Sequence, residues 1–334
     1  MMRCELKYLF VTMLLLFCAT GHAQEHCVVA FYNVENLMDV ENDPTTQDDD
    51  MLPHADREWN VERYHHKLQS VARVISDLAK LHNYPALLAL AEVENGYVLR
   101  DLVGQPTIAD ADYSFVHYDS PDERGIDVAL LYRSDSFVVE RSCALRADVE
   151  QPTRDHLMVW GELCGEPVLV VVVHFPSRIG GSKFTSRWRE YCAEQVRATV
   201  DSVRRAEPRR SVIIMGDMND TPHDKSVKSS LGAATNIKHA ASKTLYNPFA
   251  RVRGRGSMVY RDRWYQYDQI ILSNNFLSRS RLSLVEHKGC RGYLFSQPYM
   301  LDARGYPLPT YKATDYLGGV SDHLPVYVLL RKNE

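Results

Sequence analysis

No apolar run beyond the N-terminal stretch of the 334-residue chain is long enough to cross a bilayer as a helix. Tandem repeats, long Gly/Ser linkers and low-complexity tracts are also missing, which favours one large domain over several small ones. There is no basic excess: 39 Lys and Arg face 43 Asp and Glu, a formal charge of −4. Attraction to nucleic acid over the whole surface is therefore excluded, and any such binding must come from a local patch. Cysteine is sparse, seven in all, with no CxxC or Cys/His spacing of the kind that holds zinc. No serine- or cysteine-nucleophile signature stands among the polar clusters described below. What remains is ordinary globular composition, 45% hydrophobic and 25% charged.

The first residues stand apart. Arg3 and Lys7 precede an apolar run from Tyr8 to Phe17, and Ala19-Thr20-Gly21-His22-Ala23 follows. This charged, apolar, small-residue order predicts a secretory signal peptide over 1–23, cleaved after Ala23, with residues 24–334 forming the exported domain. Periplasmic and extracellular destinations both fit. Five cysteines remain after cleavage, so at least one thiol is unpaired within the chain. Cys143 and Cys164, on consecutive strand-like segments, are the expected pair.

The densest local signal is Ile213-Ile214-Met215-Gly216-Asp217-Met218-Asn219-Asp220. It reads as a buried strand that runs straight into polar groups, a place where a rigid sheet can hold chemistry. A solvated Asx-rich turn would look the same in isolation. The pattern recurs, however. Val28 to Tyr32 ends in Asn33-Val34-Glu35-Asn36, and Ala86 to Ala91 ends in Glu92-Val93-Glu94-Asn95. Strand alternation points Glu92 and Glu94 to one side, where two carboxylates need a cation or donors. Asp127 interrupts the apolar entry of the strand Ile126 to Arg133 and needs a partner, which Arg124 or a metal can supply. Pro167 to Val173 leads to His174-Phe175-Pro176-Ser177-Arg178 and Gly180-Gly181, a phosphate-handling arrangement or a hydrogen-bonded core histidine.

Between these strands, Asn60 caps a helix reaching Leu81, and a second amphipathic helix spans Phe184 to Ala206. Asp39 to Glu58 reads as a polar surface loop with a solvated Asp48-Asp49-Asp50 run. Residues 251–265 read as a loop of Arg251, Arg253, Arg255, Tyr260, Arg261, Arg263, Trp264 and Tyr265. Alternating guanidinium and aromatic groups of this kind suit phosphate contact with base stacking, or simply a solvated surface. The chain closes with the strand Tyr267 to Leu272, carrying Asp268, and with Ser321-Asp322-His323 before the strand Val326 to Leu330. Oxygen-rich clusters without thiolates suit Mg²⁺ or Mn²⁺, and such a site favours attack of water on phosphorus.

In this order, Asn33-Val34-Glu35-Asn36, Glu92-Val93-Glu94, Asp127-Val128-Ala129-Leu130-Leu131, His174, Gly216-Asp217-Met218-Asn219, Tyr267-Asp268 and Ser321-Asp322-His323 resemble the endonuclease/exonuclease/phosphatase superfamily, the DNase I-like group. The His174-to-Gly181 stretch resembles its secreted bacterial branch. The resemblance implies an α/β fold, a four-layer sandwich with two central mixed β-sheets and the site at one edge. It implies Glu92 as principal metal ligand with Asn33 and Asp322, and Asp217 and Asn219 positioning water and phosphate. It implies His323, oriented by Asp268, as acid-base or phosphate contact, and His174 as a charge stabiliser; the general base stays open between Asp217 and His323. Arg124, Asp127, Ser177, Arg178, Arg253 and Arg255 are the candidate substrate contacts. Some nuclease members carry a tyrosine where this chain has Arg124-Gly125-Ile126, which leaves transition-state stabilisation to Arg124 or another donor.

The expected activity is an exported, Mg²⁺- or Mn²⁺-dependent phosphodiesterase acting on nucleic acid, DNA foremost, as a monomer without stable membrane insertion. A lipid or small-molecule phosphoesterase, of sphingomyelinase or inositol-phosphate phosphatase type, is the alternative on the same fold. A non-catalytic surface-binding protein is the third reading, disfavoured because the acidic and imidazole positions are all present.

Overall fold

The computed structural model describes residues 26–240, 244–252, 254–278 and 280–333. The expected signal peptide and Arg253 lie outside them. Strands and helices are numbered here in chain order. One sheet contains β1 (His26–Leu37), β2 (Leu87–Val93), β3 (Tyr113–His117), β4 (Asp127–Arg133), β14 (Leu282–Leu284), β15 (Tyr293–Leu294) and β18 (Val326–Lys332). Its order is β14-β18-β1-β2-β4-β3, with β15 also on β18. The other contains β5 (Phe137–Leu145), β6 (His156–Leu163), β7 (Glu166–His174), β8 (Ser211–Asp217), β9 (Ala233–Ala234), β10 (Leu245–Tyr246) and β13 (Asp268–Ser273), in the order β5-β6-β7-β8-β13-β10-β9. Both are mixed: β1 with β2 and β7 with β8 run parallel, while their outer neighbours are antiparallel.

Alternation along the strands builds the layers. Val29 and Phe31 of β1 pack with Val168, Val170 and Val172 of β7 in a core between the sheets. Val28, Ala30 and Tyr32 turn the other way, against Leu68, Val71 and Ile75 of helix α1 (Val61–His82). Leu169, Val171 and Val173 face Cys192, Val196 and Val200 of the long helix α3 (Ser182–Ala206). The result is the four-layer α/β sandwich. Strands covered on both faces read as unbroken apolar runs, which explains why β7 and β8 are so conspicuous in the sequence.

Caps fall where the side chains predict. Asn60 accepts from Arg63 N at the start of α1, and Asn95 accepts from Tyr97 N and Val98 N before α2 (Gly96–Val103). The β7–β8 approach depends on Gly216, because a Cβ there would lie 1.9 Å from the Val173 carbonyl oxygen. Among the described residues no helix is long and apolar enough to cross a membrane.

Four sequence expectations need correction. The stretch expected as a basic, aromatic loop contains a hairpin, β11 (Met258–Tyr260) against β12 (Arg263–Tyr265). Its turn residues, Arg261 and Asp262, both have positive φ, 49° and 60°. That conformation usually calls on Asn or Gly, so no turn signal showed. Asp48 is not solvated: it is buried and accepts from Asp43 N at 2.9 Å. Glu92 and Glu94 do not act as a pair, because Glu92 has φ 64° and the β2–β4 register breaks there. Cys143 is exposed and faces Met158 across β5–β6, while Cys164 packs at Cys27.

Candidate active site

Strand register assembles the cluster. On β7, β8 and β13, His174 lies opposite Asp217, and Asp217 lies opposite Asp268. The first sheet brings Asn33 on β1 and Glu92 on β2 to the same edge. Asn33 joins the two sheets: its Nδ2 donates to Glu92 Oε1 and to Asp217 Oδ2, both at 3.2 Å. Asn36 N donates to the other Glu92 oxygen at 3.2 Å. Glu35, Asn36, Glu92 and Asn219 all have φ between 48° and 64°, a concentration of left-handed backbone in non-glycine residues. Such strain persists where packing enforces it, and it commonly marks a site.

The C-terminal segment docks onto this edge through side chains. Ser321 Oγ donates to the Asn33 carbonyl at 2.8 Å and accepts from His323 N at 3.0 Å. Glu35 Oε2 accepts from Thr310 N at 2.8 Å and Asp322 N at 3.1 Å. Behind them Lys67, fully buried on α1, donates to Thr310 Oγ1 and to the Val320 carbonyl, each at 2.6 Å. These contacts fix the imidazole. His323 Nδ1 donates to Asp268 Oδ2 at 2.7 Å, leaving Nε2 at 3.8 Å from Asp217 Oδ2. His174 Nε2 flanks the same oxygen at 3.6 Å and Glu92 Oε1 at 3.9 Å.

Asn219 N donates to Asp217 Oδ1 at 2.8 Å, and Asn219 Nδ2 donates to the Phe175 carbonyl at 3.0 Å. Asp217 Oδ2 is thus the oxygen turned toward both imidazoles. Burial, reinforced by Asp268, pushes the Asp217 carboxyl up to about 7. Burial works against a charged His323, yet Asp268 and Asp322 outweigh it and hold the imidazole well above its ordinary range. His174 goes the opposite way: burial, then Arg154 and Arg124, keep it well below and therefore neutral. One imidazole favours the charged form and the other the neutral form, on either side of one carboxylate.

For a metal, ligand atoms of Asp217, Asp268 and His323 lie within 4.8 Å of one another. The 2.7 Å Asp268–His323 hydrogen bond already occupies that His323 nitrogen, so this trio reads better as an oriented imidazole. Glu92 and Asp322 offer oxygen donors, and the Asp322 side chain is 46% exposed. Hard oxygen ligands that leave room for water suit Mg²⁺, and the expected ligands Glu92, Asn33 and Asp322 fit that chemistry.

Other candidates are committed elsewhere. Asp127 accepts from His117 Nε2 at 3.2 Å and Ser120 N at 3.0 Å, so His117, rather than Arg124, is its side-chain partner. Arg124 Nε lies 3.8 Å from Asp122 Oδ1, and buried Arg154 binds the same carboxylate at 2.8 Å and the Phe175 carbonyl at 3.1 Å. Arg178 is not an open phosphate ligand. Its guanidinium binds the Asn219 carbonyl at 2.8 Å, Asp224 at 2.8 Å and Asp220, bracing the Asp217–Asn219 turn. Ser177 Oγ accepts from Ile179 N at 3.3 Å. Arg255 is exposed, its guanidinium 5.9 Å from the Trp264 ring. The hairpin that follows Arg255 reaches the site itself: Met258 bridges His323 in antiparallel fashion, Leu324 N donates to Ser257 O at 2.7 Å, and Asp268 N donates to Ser257 Oγ at 3.1 Å. Lys67, Arg154 and His117 are participants that sequence reasoning missed.

Two mixed sheets meeting at an edge of carboxylates, amides and imidazoles define a phosphoesterase fold of the DNase I type. The chain belongs to the endonuclease/exonuclease/phosphatase family, whose sequence profile matches residues 28–332. Solved structures agree at the level of fold. D. rerio TDP2 complexed with a single-strand DNA product is 15% identical, with TM-score 0.55, over 92% of this chain and 99% of that one. A Bacteroides thetaiotaomicron mannosyl-6-phosphatase is 17% identical, TM-score 0.53, over 91% and 98%. The human Nocturnin catalytic domain with bound sulfate is 15% identical, TM-score 0.52, over 93% and 96%. Comparison with curated protein sequences gives no match.

Proposed function

We propose that this chain is an exported, Mg²⁺- or Mn²⁺-dependent phosphodiesterase that cleaves nucleic acid, DNA foremost, as a monomer. The observation that carries the nucleic-acid reading is the β11–β12 hairpin. It is tied to His323 by a backbone bridge and exposes Tyr260, Arg261 and Arg263 around its turn, while Trp264 packs inward, edge-on to Tyr306. Tyr260 is 54% exposed, with the Arg261 guanidinium 5.2 Å from its ring. Such a surface suits stacking on a base with charge toward the phosphates.

Glu92, Asn33 and Asp322 would hold the metal, which when bound would polarise the phosphoryl oxygens. Asp217 Oδ2 accepts the proton of the attacking water, and Asn219 fixes that carboxylate through its other oxygen. His323, locked by Asp268, donates through Nε2 toward the phosphate or the departing oxygen. Neutral His174 offers a further hydrogen bond to a phosphate oxygen. Arg154 shapes this arrangement from behind, through Asp122 and the Phe175 carbonyl.

A small phosphoester substrate is the second reading. It is favoured by a polar cleft lined by Glu35, Asn36, Met51, Arg57, Thr310 and Tyr311, next to the Glu92 loop. The deciding assay presents plasmid DNA, RNA, sphingomyelin, inositol phosphates and sugar phosphates with Mg²⁺ or with EDTA. Plasmid nicking that EDTA abolishes is the expected result. Release of inorganic phosphate or phosphocholine, with nucleic acids intact, would transfer the same residues to the second reading. Export is checked separately, by recovery of a chain beginning near Gln24 outside the cytoplasm of the producing cell.

A further inference from the structure

Cys27 and Cys164 belong to different sheets and meet in the core between them. Cys27 is the second residue of β1, on the face that carries Val29 and Phe31 inward, and Cys164 packs against that same cluster. The two thiols are hydrogen-bonded to each other. Cys164 also stands where a cysteine is not expected. It and Gly165 form the two-residue turn between β6 and β7, with φ of 48° and 85°. A hairpin turn of this left-handed kind usually draws Asn, Asp or Gly at its first position. The turn therefore does not account for the residue, whereas contact with a second thiol does. The remaining cysteines are placed differently: Cys143 and Cys290 are exposed, and Cys192 is buried on α3.

We propose that Cys27 and Cys164 form a disulfide that ties the two sheets together at the end away from the catalytic edge. Cys164 is partly exposed and Cys27 buried, which sets the order of events. The Cys164 thiolate attacks one sulfur of a disulfide oxidant (an oxidised dithiol protein, or glutathione disulfide) and expels the other as thiolate. The Cys27 sulfur then displaces the oxidant from the mixed disulfide. The S–S bond forms within the chain, the oxidant leaves as two thiols, and it takes up both electrons and both protons. Oxidising conditions of the exported compartment suit this reaction, but the pairing itself does not depend on export.

The test uses the full chain purified reduced, then equilibrated folded with glutathione disulfide. Peptide mapping without reductant is expected to recover the Cys27 and Cys164 peptides linked, and reduction is expected to lower the Tm by several degrees at unchanged hydrolysis rate. Cys27→Ser and Cys164→Asn remove the link. Asn suits the left-handed turn, so Cys164→Asn should match or exceed the reduced wild type in Tm while falling short of the oxidised form. Two freely alkylated thiols after oxidation, or a Cys143–Cys164 peptide, would overturn the proposal. A link that forms with glutathione but is missing from protein recovered outside the cytoplasm would count against export and leave the pair standing.

Discussion

His323 and Asp268 are bound at 2.7 Å through Nδ1, so Nε2, the nitrogen 3.8 Å from Asp217, is the one presented to the cleft. Asp268 is itself held in register with Asp217 on the next strand. Asp268→Asn keeps the shape but removes the acceptor that fixes ring and tautomer. Turnover in the Mg²⁺ assay should fall by about 10²–10⁴-fold, with circular dichroism and Tm near those of the wild type. His323→Ala should fall comparably, and the double variant no further, because the two act as a unit. A D268N rate within tenfold of wild type would remove the pair from the chemistry.

Lys67 supplies a second test. Its ammonium is buried beneath Glu35 and Asp322 and holds Thr310 and the Val320 carbonyl. Lys67→Met conserves length but strands those carboxylates without their cation. Urea unfolding should show a loss of about 3–5 kcal/mol. A loss below about 1 kcal/mol would mean that the segment carrying Asp322 docks without it.

His156 sets an acid limb of stability. It is wholly buried, with neither ring nitrogen hydrogen-bonded and its ring edge-on to Phe175. Burial and then Arg154 lower it to about 4 from an ordinary 6.5. The unfolded chain thus binds more protons between those values. The stabilisation is complete above pH 6.5 and is lost as pH falls toward 4, about 3 kcal/mol in all. His156→Phe should flatten this limb, gaining on the wild type at pH 4.5 relative to pH 8. Parallel stability–pH curves for the two proteins would contradict the assignment.

For the hairpin, Tyr260→Ala should weaken single-strand DNA binding by roughly 5- to 100-fold if a base stacks there. Arg261→Ala with Arg263→Ala should reduce the slope of log K against log salt by about 1–2. Binding is measured in EDTA to prevent turnover. An unchanged slope would place the nucleic acid elsewhere.

The strand-end clusters are legible in the sequence because a buried strand announces itself twice, by its apolar run and by the abrupt polar residues that stop it. Asn33, Glu92, His174 and Asp217 stand at such stops, while Asp268 and His323 stand at or just before the start of a strand. Helix α1 is legible for the same local reason, its cap and period lying within the helix itself. Partners drawn from elsewhere are not. Lys67 lies 243 residues from the Thr310 it holds, and nothing in its own helical pattern marks it. Asp127 invites pairing with nearby Arg124, yet the fold gives it His117 from the neighbouring strand. Arg178 resembles a phosphate ligand until Asp220 and Asp224 turn out to hold it.

Strand β1 lies antiparallel to β18, with His26 opposite Arg331. The first strand of the sandwich is therefore laid against the last, and Ser321, which holds the Asn33 carbonyl, comes just ahead of that final strand. β1 meets β2 early in the chain, but its other neighbour, β18, comes from the far end of the sequence, so that side of the sheet closes by a long-range contact. A fragment that stops short of Ser321 lacks His323 and the clasp on Asn33 together. One cut ahead of Ser321 would therefore remove an imidazole and a clasp at once, while the strands that carry Glu92 and Asp217 stay in the chain.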